Sequence, residues 1–184
     1  GGIGQALAMG IGAAIADGYI GSVDDPVIQY IPEIAGRGLD ALTIRDLLLM
    51  NSGIRYVEGD ELPFYYAPFA DDALTYYSAH MRKTALSVRA GVTPIGKAFH
   101  YNNYHPLIEG VIIERATGMP VADYLLLSHM NNNNNSTTTS SSLEFVRRSL
   151  NAVDQSQVAT FRNISPFVPQ LLLFVVLLSL TVIN

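Results

Sequence analysis

The chain has 184 residues, which is room for one ordinary domain or for one domain with a tail. Hydrophobic residues make up 49% and charged residues only 15%, so there is enough apolar material for a core and wholesale disorder is not expected. The net charge of −5 gives no reason to expect a nucleic-acid partner. The absence of Cys excludes a disulfide framework, a thiolate zinc site and a Cys nucleophile.

Three stretches of different composition divide the chain. Residues 1–128 have the mixed polar and apolar texture of a globular domain. Residues 129–142 (HMNNNNNSTTTSSS) form a polar low-complexity run that cannot bury a core, so we expect a disordered linker there. Residues 143–184 begin as an amphipathic segment and end in an apolar tail. The opening GGIG, without Met or a basic stretch, is typical of a chain cut from something longer.

The apolar tail, residues 167–183, is short for a membrane span. A spanning helix needs about 20 apolar residues, and this run approaches that length only by including Pro169 and Gln170. Three interpretations therefore stay open: membrane contact through a short anchor, a helix that packs on other protein, and a sequence from an aberrant reading frame. The compartment stays open as well, between periplasmic, exported and membrane-associated settings.

Helix signals are clear in the first stretch. Residues 5–17 are small and apolar nearly all round, which predicts a buried helix, and Gly18 suits its C-terminal cap. Thr43 resembles an N-cap, with the acidic Asp46 at the third helical position. Further helices are predicted near residues 71–78, 107–117 and 120–127.

The segment 107–117 is predicted as an amphipathic helix. Its spacing places Leu107, Val111 and Ile112 on one face and leaves Glu109 off that face. No strand pattern stands out anywhere in the chain. We therefore expect the protein to be mostly α.

Tyr101-Asn102-Asn103 is the segment whose side chains are best suited to catalysis. A phenol and an amide two residues apart on a tight loop can both face one site. The phenol of Tyr101 can then take or return a proton, and the amide of Asn103 can contact a carbonyl or orient a lysine. The tripeptide by itself is common, and most tyrosines in such a pattern are ordinary surface or core residues.

Three segments carry a resemblance that is more specific. They are GKAFHYNNYHPLIEGVIIERATG (96–118), DGYIGSVDDP (17–26) and LTIRDLLLMNSG (42–53). In this order they resemble the second-motif region, the turn after the nucleophile helix and the T-I-R-x-L-L-x-M-x-S-G segment of the class C β-lactamase-related serine hydrolases. That family includes penicillin-binding D-alanyl-D-alanine peptidases and esterases.

The resemblance implies a catalytic scheme of three motifs. Y-x-N would supply Tyr101 as proton relay and Asn103 as substrate or lysine contact. S-x-x-K would supply the nucleophile and its base, but the family's spacing places these at Gly1 and Gly4. No S-x-x-K occurs elsewhere in the chain, and no K-T-G or H-x-G follows Y-x-N. The implied fold is the helical portion of an α+β β-lactamase/transpeptidase-like fold, with the sheet strands missing.

Other candidate residues are less specific. Ser52 lies in the M-x-S-G turn, where the family role is structural. His100 and His105 flank Tyr101, but no third His and no carboxylate stands at ligand spacing, so we expect no metal site and no cofactor.

Two functions remain after the sequence is considered. The first is a β-lactamase-related serine hydrolase homologue, whose family reaction is acyl-enzyme hydrolysis of an amide, ester or β-lactam. Its substrate would be a small-molecule or peptide-like acyl compound, and we expect this chain to be inactive because the nucleophile and lysine are absent. The alternative is a non-catalytic, membrane-tethered or truncated product with a binding role or none.

Overall fold

The computed structural model describes residues 2–133, and this part of the protein is mostly helical with no β-strand. Two isolated antiparallel bridges, Pro26 with Thr43 and Ile54 with Ala90, are the only sheet-like pairing within it. The α-helices are α1 (Gly2–Ala16), α2 (Ile44–Leu48), α3 (Asp71–Tyr77), α4 (Met81–Leu86), α5 (Tyr104–Thr117) and α6 (Val121–Asn133). Short 3-10 helices span Val27–Gln29, Pro32–Ile34, Gly59–Glu61 and Ala67–Phe69.

Helices α1 and α5 form the centre of the core and run in the same direction. A Cβ added at Gly4 would lie 3.9 Å from Pro106 Cβ, and one added at Gly10 would lie 2.9 Å from Ile113 Cδ1. Glycine at position 10 therefore lets α1 and α5 pack closely, whereas a Cβ at Gly4 would make an ordinary contact. The N-terminal ends of α1 and α5 therefore lie side by side, and this matters for the site described below.

The predicted start of α2 is confirmed. Thr43 Oγ1 accepts a hydrogen bond from the Asp46 backbone N–H at 3.3 Å, and the Asp46 carboxylate accepts one from the Thr43 backbone N–H at 3.0 Å. This reciprocal capping box satisfies two N–H groups that the first turn leaves unpaired. The buried apolar residues that follow attach α2 to the core.

The end of α1 also follows the prediction. Gly18 has a φ of +83°, the left-handed conformation that glycine adopts without strain. The chain then turns so that Tyr19 packs edge-to-face on Tyr124 of α6, with 5.8 Å between ring centroids. Tyr124 Oη donates to Asp17 Oδ2 at 2.7 Å, which ties α6 to the end of α1.

The prediction that Glu109 lies off the buried face of α5 is wrong. This residue is buried, whereas Leu107, which was expected to face the core, is only half-buried. The reason is that α5 packs against α1, α2, α4 and α6, so protein surrounds it on nearly every side. An amphipathic pattern assumes one buried face, and α5 has no simple face of that kind.

Helix α6 continues beyond its predicted end near residue 127 to Asn133, and so extends into the segment expected to be a linker. The rest of that segment and the C-terminal tail, including residues 167–183, lie outside the described residues. No helix within 2–133 is long and apolar enough to cross a membrane.

Candidate functional site

The Y-x-N segment forms the loop that enters α5. The backbone N–H of His100 donates to Met50 O at 2.7 Å, which fixes the start of the loop against the turn after α2. Tyr101 is 49% exposed, Asn102 is buried, and Asn103 is half-buried beside the start of α5. The loop therefore presents the phenol of Tyr101 to solvent while its middle residue points inward.

Asn103 is held through its amide nitrogen. Nδ2 donates to Tyr56 Oη at 3.1 Å and to Thr75 Oγ1 at 3.2 Å. The Thr75 hydroxyl already donates its one hydrogen to the backbone carbonyl of Asp71, 2.8 Å away, so its oxygen must accept from Asn103. This fixes the orientation of the amide. Both N–H groups are used, and the carbonyl oxygen is the atom left to contact a cation or a donor.

A buried polar group holds the loop from the inside. Asn102 Oδ1 accepts from the Tyr104 backbone N–H at 3.1 Å, which turns its Nδ2 toward His105 Nε2, 3.3 Å away. Ser52 Oγ lies 2.6 Å from the same Nε2 and accepts from the Ile54 backbone N–H at 3.2 Å. Because the Asn102 amide nitrogen can only donate, Nε2 accepts from it and from the Ser52 hydroxyl, and the ring hydrogen then lies on Nδ1, a buried atom with no hydrogen-bond partner among the described residues.

The Ser52–His105 distance suits a serine nucleophile activated by histidine, but a substrate has no access to the serine hydroxyl. Ser52 is 1% exposed and His105 is 0% exposed, so no substrate carbonyl can reach the hydroxyl. Burial, reinforced by the charge of nearby His100, lowers the pKa of His105 to about 3, so the ring is neutral at ordinary pH. The pair positions the Y-x-N loop, in agreement with the structural role expected for Ser52.

Gly4 is the described first-motif position, and it lies next to this loop. It stands in the first turn of α1, where a Cβ would lie 3.9 Å from Pro106 Cβ, in ordinary van der Waals contact. Pro106 follows Asn103 by three residues. Gly1, the position aligned with the nucleophile, lies outside the described residues. Gly4, where the resemblance predicts the lysine, thus lies beside the entrance to α5.

The Asp71 carboxylate makes long-range contacts that the sequence did not indicate. Its carboxylate accepts from Tyr104 Oη at 2.6 Å and from the Val57 backbone N–H at 2.7 Å, and Arg55 lies 3.6 Å away. Burial and the neighbouring carboxylate raise the pKa of Tyr104. Nothing in the local sequence pattern around Asp71 indicates a partner 33 positions away in sequence. Asp71 joins the segment before α3 to the start of α5.

His100 and His105, at which we expect no metal site, have different surroundings. His100 meets the ring of Tyr56 edge-on with 5.9 Å between centroids, whereas His105 is in the buried group with Ser52. Within residues 2–133, no cluster of three His, Asp or Glu side chains could hold a metal ion.

Comparison with known families decides the assignment. The family model described as Beta-lactamase matches residues 6–127, which is more than half of the chain. The chain belongs to the β-lactamase family. This confirms the resemblance carried by the three sequence segments. No curated protein matches the chain closely enough to extend that assignment. The matched range includes Tyr101 and Asn103 of this β-lactamase-family domain, and it begins after Gly4.

Proposed function

We propose that this chain is a homologue of the β-lactamase-related serine hydrolases that does not itself form an acyl-enzyme. The observation that supports this most directly is the position of Gly4. A Cβ added there would contact Pro106 at the entrance to α5. Gly4, which the resemblance aligns with the family's lysine, lies beside the first turn of α5, and it has no side chain. The family reaction would act on an amide, an ester or a β-lactam in a small or peptide-like acyl compound.

The proposed inactivity follows from the chemistry of the first motif. Acyl transfer needs an oxygen nucleophile and a base that removes its proton, and glycine has neither. Residues 1–20 contain no Ser and no Lys, so a shift of the register by one or two residues would not restore the pair. Tyr101 could still exchange a proton, but only with a group that the first motif would have to supply.

The geometry of Asn103 refines its proposed role. Because Tyr56 and Thr75 occupy both of its N–H groups, the amide would contribute its carbonyl oxygen. A carbonyl oxygen accepts a hydrogen bond from a lysine ammonium, whereas it cannot donate one to a substrate carbonyl. In this family arrangement Asn103 therefore fits the contact to the lysine better than the contact to the substrate.

Covalent labelling tests this function. Fluorescent penicillin and a fluorophosphonate probe are each incubated with the unmodified chain, with Gly1→Ser/Gly4→Lys, and with each single variant. We expect no label on the unmodified chain or on either single variant, because each lacks at least one half of the pair. Labelling of the double variant at position 1, located by peptide mass spectrometry, would support the assigned register.

Labelling of the unmodified chain would contradict the proposed inactivity. Ser52→Ala then serves as the deciding control, since Ser52 is the described serine that contacts a histidine nitrogen at 2.6 Å. Loss of the label in Ser52→Ala would identify Ser52 as a nucleophile that becomes accessible when the loop opens.

A binding role is the second candidate function. It is favoured by a group of exposed aromatic side chains on α3 and on the segment that leads into it. That surface does not need the missing first motif.

A further inference from the structure

Six large aromatic side chains are exposed within a short part of the chain. Their exposed fractions run from 63% to 88%, whereas aromatic rings in soluble proteins are usually more than half buried. Exposed apolar groups that cluster in this way mark interaction sites. We call this group the aromatic face, and its members are Phe64, Tyr65, Tyr66, Phe69, Tyr76 and Tyr77.

The aromatic face is carried by elements that pack on one another. The 3-10 helices Gly59–Glu61 and Ala67–Phe69 both contact α3. A Cβ added at Gly59 would lie 3.6 Å from Ala67 Cβ and 3.5 Å from Asp72 Oδ2, so these elements are in direct contact. The rings also contact their neighbours, with centroids 6.0 Å apart for Phe64 and Tyr65. The elements that bear the six rings therefore form one packed unit.

The segment that bears the aromatic face is strongly acidic. Residues 56–79 contain five carboxylates and no Lys, Arg or His; Asp71 and Asp72 are half-buried, and Asp71 lies 3.6 Å from Arg55, which precedes the segment. Glu58, Asp60 and Glu61 are exposed, and they lie on the 3-10 turn that packs against α3. Aromatic ring faces attract cations, and carboxylates beside them add a direct charge. The chemistry of this surface fits a cationic partner that also has apolar atoms.

We propose that the aromatic face binds an arginine-bearing peptide segment of a partner protein. Guanidinium is planar and weakly hydrated, so it stacks on a tyrosine ring and pairs with a carboxylate through two hydrogen bonds at once. An ammonium group is a strongly hydrated point charge and gains less from the rings. Tyr and Arg are also the residues most often found at the centre of protein interfaces.

Two other occupants fit the charges less well. The carboxylates of Glu58, Asp60 and Glu61 would repel an anionic lipid surface. A symmetric pair of chains would bring the same three carboxylates of each copy toward each other, with no cation on residues 56–79 to offset them. A basic peptide is the occupant that the charge complements.

Binding is measured with a fluorescein-labelled peptide of alternating Arg and Leu, by fluorescence anisotropy with the full chain. Matched peptides carry Lys or Glu in place of Arg. We expect the Arg peptide to bind at least about fivefold more tightly than the Lys peptide, and the Glu peptide not to bind. Added NaCl should weaken the binding, because the carboxylate contribution is screened.

Two variants separate the contributions of the rings and the charges. Tyr65→Ser/Tyr77→Ser should weaken Arg-peptide binding about tenfold or more, and Glu58→Gln/Asp60→Asn about threefold to tenfold. Leu126→Ser and Asp123→Asn remove an exposed apolar side chain and an exposed carboxylate from α6, and they should leave binding within about twofold. Circular dichroism checks that each variant keeps its helix content.

The proposal is overturned if the Arg peptide does not bind, if the Lys peptide binds equally well, or if the ring variant binds as the parent does. Vesicles that contain phosphatidylserine could bind, or the chain could dimerise, through the aromatic face; either event, if Tyr65→Ser/Tyr77→Ser abolishes it, would also overturn the proposal in favour of that occupant. None of these outcomes depends on covalent labelling. A failure here is therefore distinguishable from a failure of the proposed hydrolase relationship.

Discussion

Ser52 Oγ lies 2.6 Å from His105 Nε2, and this contact joins the turn after α2 to the first turn of α5. The distance suits a serine activated by histidine, but both side chains are buried and the histidine is neutral. Together with Asn102, the pair fixes the inner side of the Y-x-N loop. A buried hydrogen bond of this kind stabilises the loop, so its removal should be measurable as a loss of stability.

Ser52→Ala should lower the free energy of unfolding by about 1–3 kcal/mol, because a buried ring nitrogen loses its strongest partner. Urea unfolding followed by circular dichroism measures the change. Ser87→Ala is the matched control, since Ser87 is exposed and bonds only to the Thr84 carbonyl in its own turn. Equal effects of the two substitutions would contradict the importance of the Ser52–His105 contact.

Glu109 makes stability depend on pH between 4.5 and about 8. Burial raises the pKa of this carboxyl from 4.5 to about 8, so between those values the folded state holds a proton that the unfolded state has released. The contribution of Glu109 to stability is therefore greatest below pH 4.5 and is lost as the pH rises toward 8. The slope approaches about 1.4 kcal/mol per pH unit.

Glu109→Gln removes this titration and keeps the shape of the side chain. We expect the variant to gain stability relative to the parent as the pH rises from 6.5 to 8, in urea unfolding at several pH values. Glu58→Gln is the control, because Glu58 is exposed. Parallel pH profiles for the parent and Glu109→Gln would show that Glu109 has the same pKa in the folded and unfolded states.

His105 acts in the opposite direction at acidic pH. Its pKa is lowered from 6.5 to about 3, mainly by burial, so between these values the unfolded state binds a proton that the folded state does not. The folded state therefore loses stability as the pH falls from 6.5 toward 3. His105→Gln should cost less stability at pH 4.5 than at pH 7, and unfolding midpoints at the two pH values measure this. A cost that is the same at both would contradict the lowered pKa.

Gly53 needs glycine for two reasons that can be separated. Its φ is +68°, and a Cβ there would lie only 2.5 Å from the Thr93 backbone oxygen. Gly36 has a similar φ of +75° with nothing within 4 Å of a Cβ. Gly36→Ala should therefore cost about 1 kcal/mol through backbone strain alone, and Gly53→Ala clearly more because backbone must also move. Thermal unfolding compares the two, and equal costs would contradict the clash.

Much of the helical structure could be predicted from the sequence because its signals are local. The capping box joins Thr43 to Asp46, three positions later, and Gly18 lies two positions after the last residue of α1. The family resemblance was also local, since each of its three segments is a continuous run of residues. Such patterns depend on neighbours in sequence, and the chain itself specifies those neighbours.

Only the tertiary structure decided the environment of the individual side chains at the candidate site. Glu109 is buried because four helices surround α5, and Asn103 is held by Tyr56 and Thr75, which lie 47 and 28 positions away in sequence. Whether the rings of the aromatic face are exposed likewise depends on whether segments distant in sequence cover them. The sequence by itself determined where α2 begins, where α1 ends and which chemical groups the chain lacks, including the Ser and Lys of the first motif. The packing of distant segments determined burial, pKa values and hydrogen-bond partners, because these depend on distances through space.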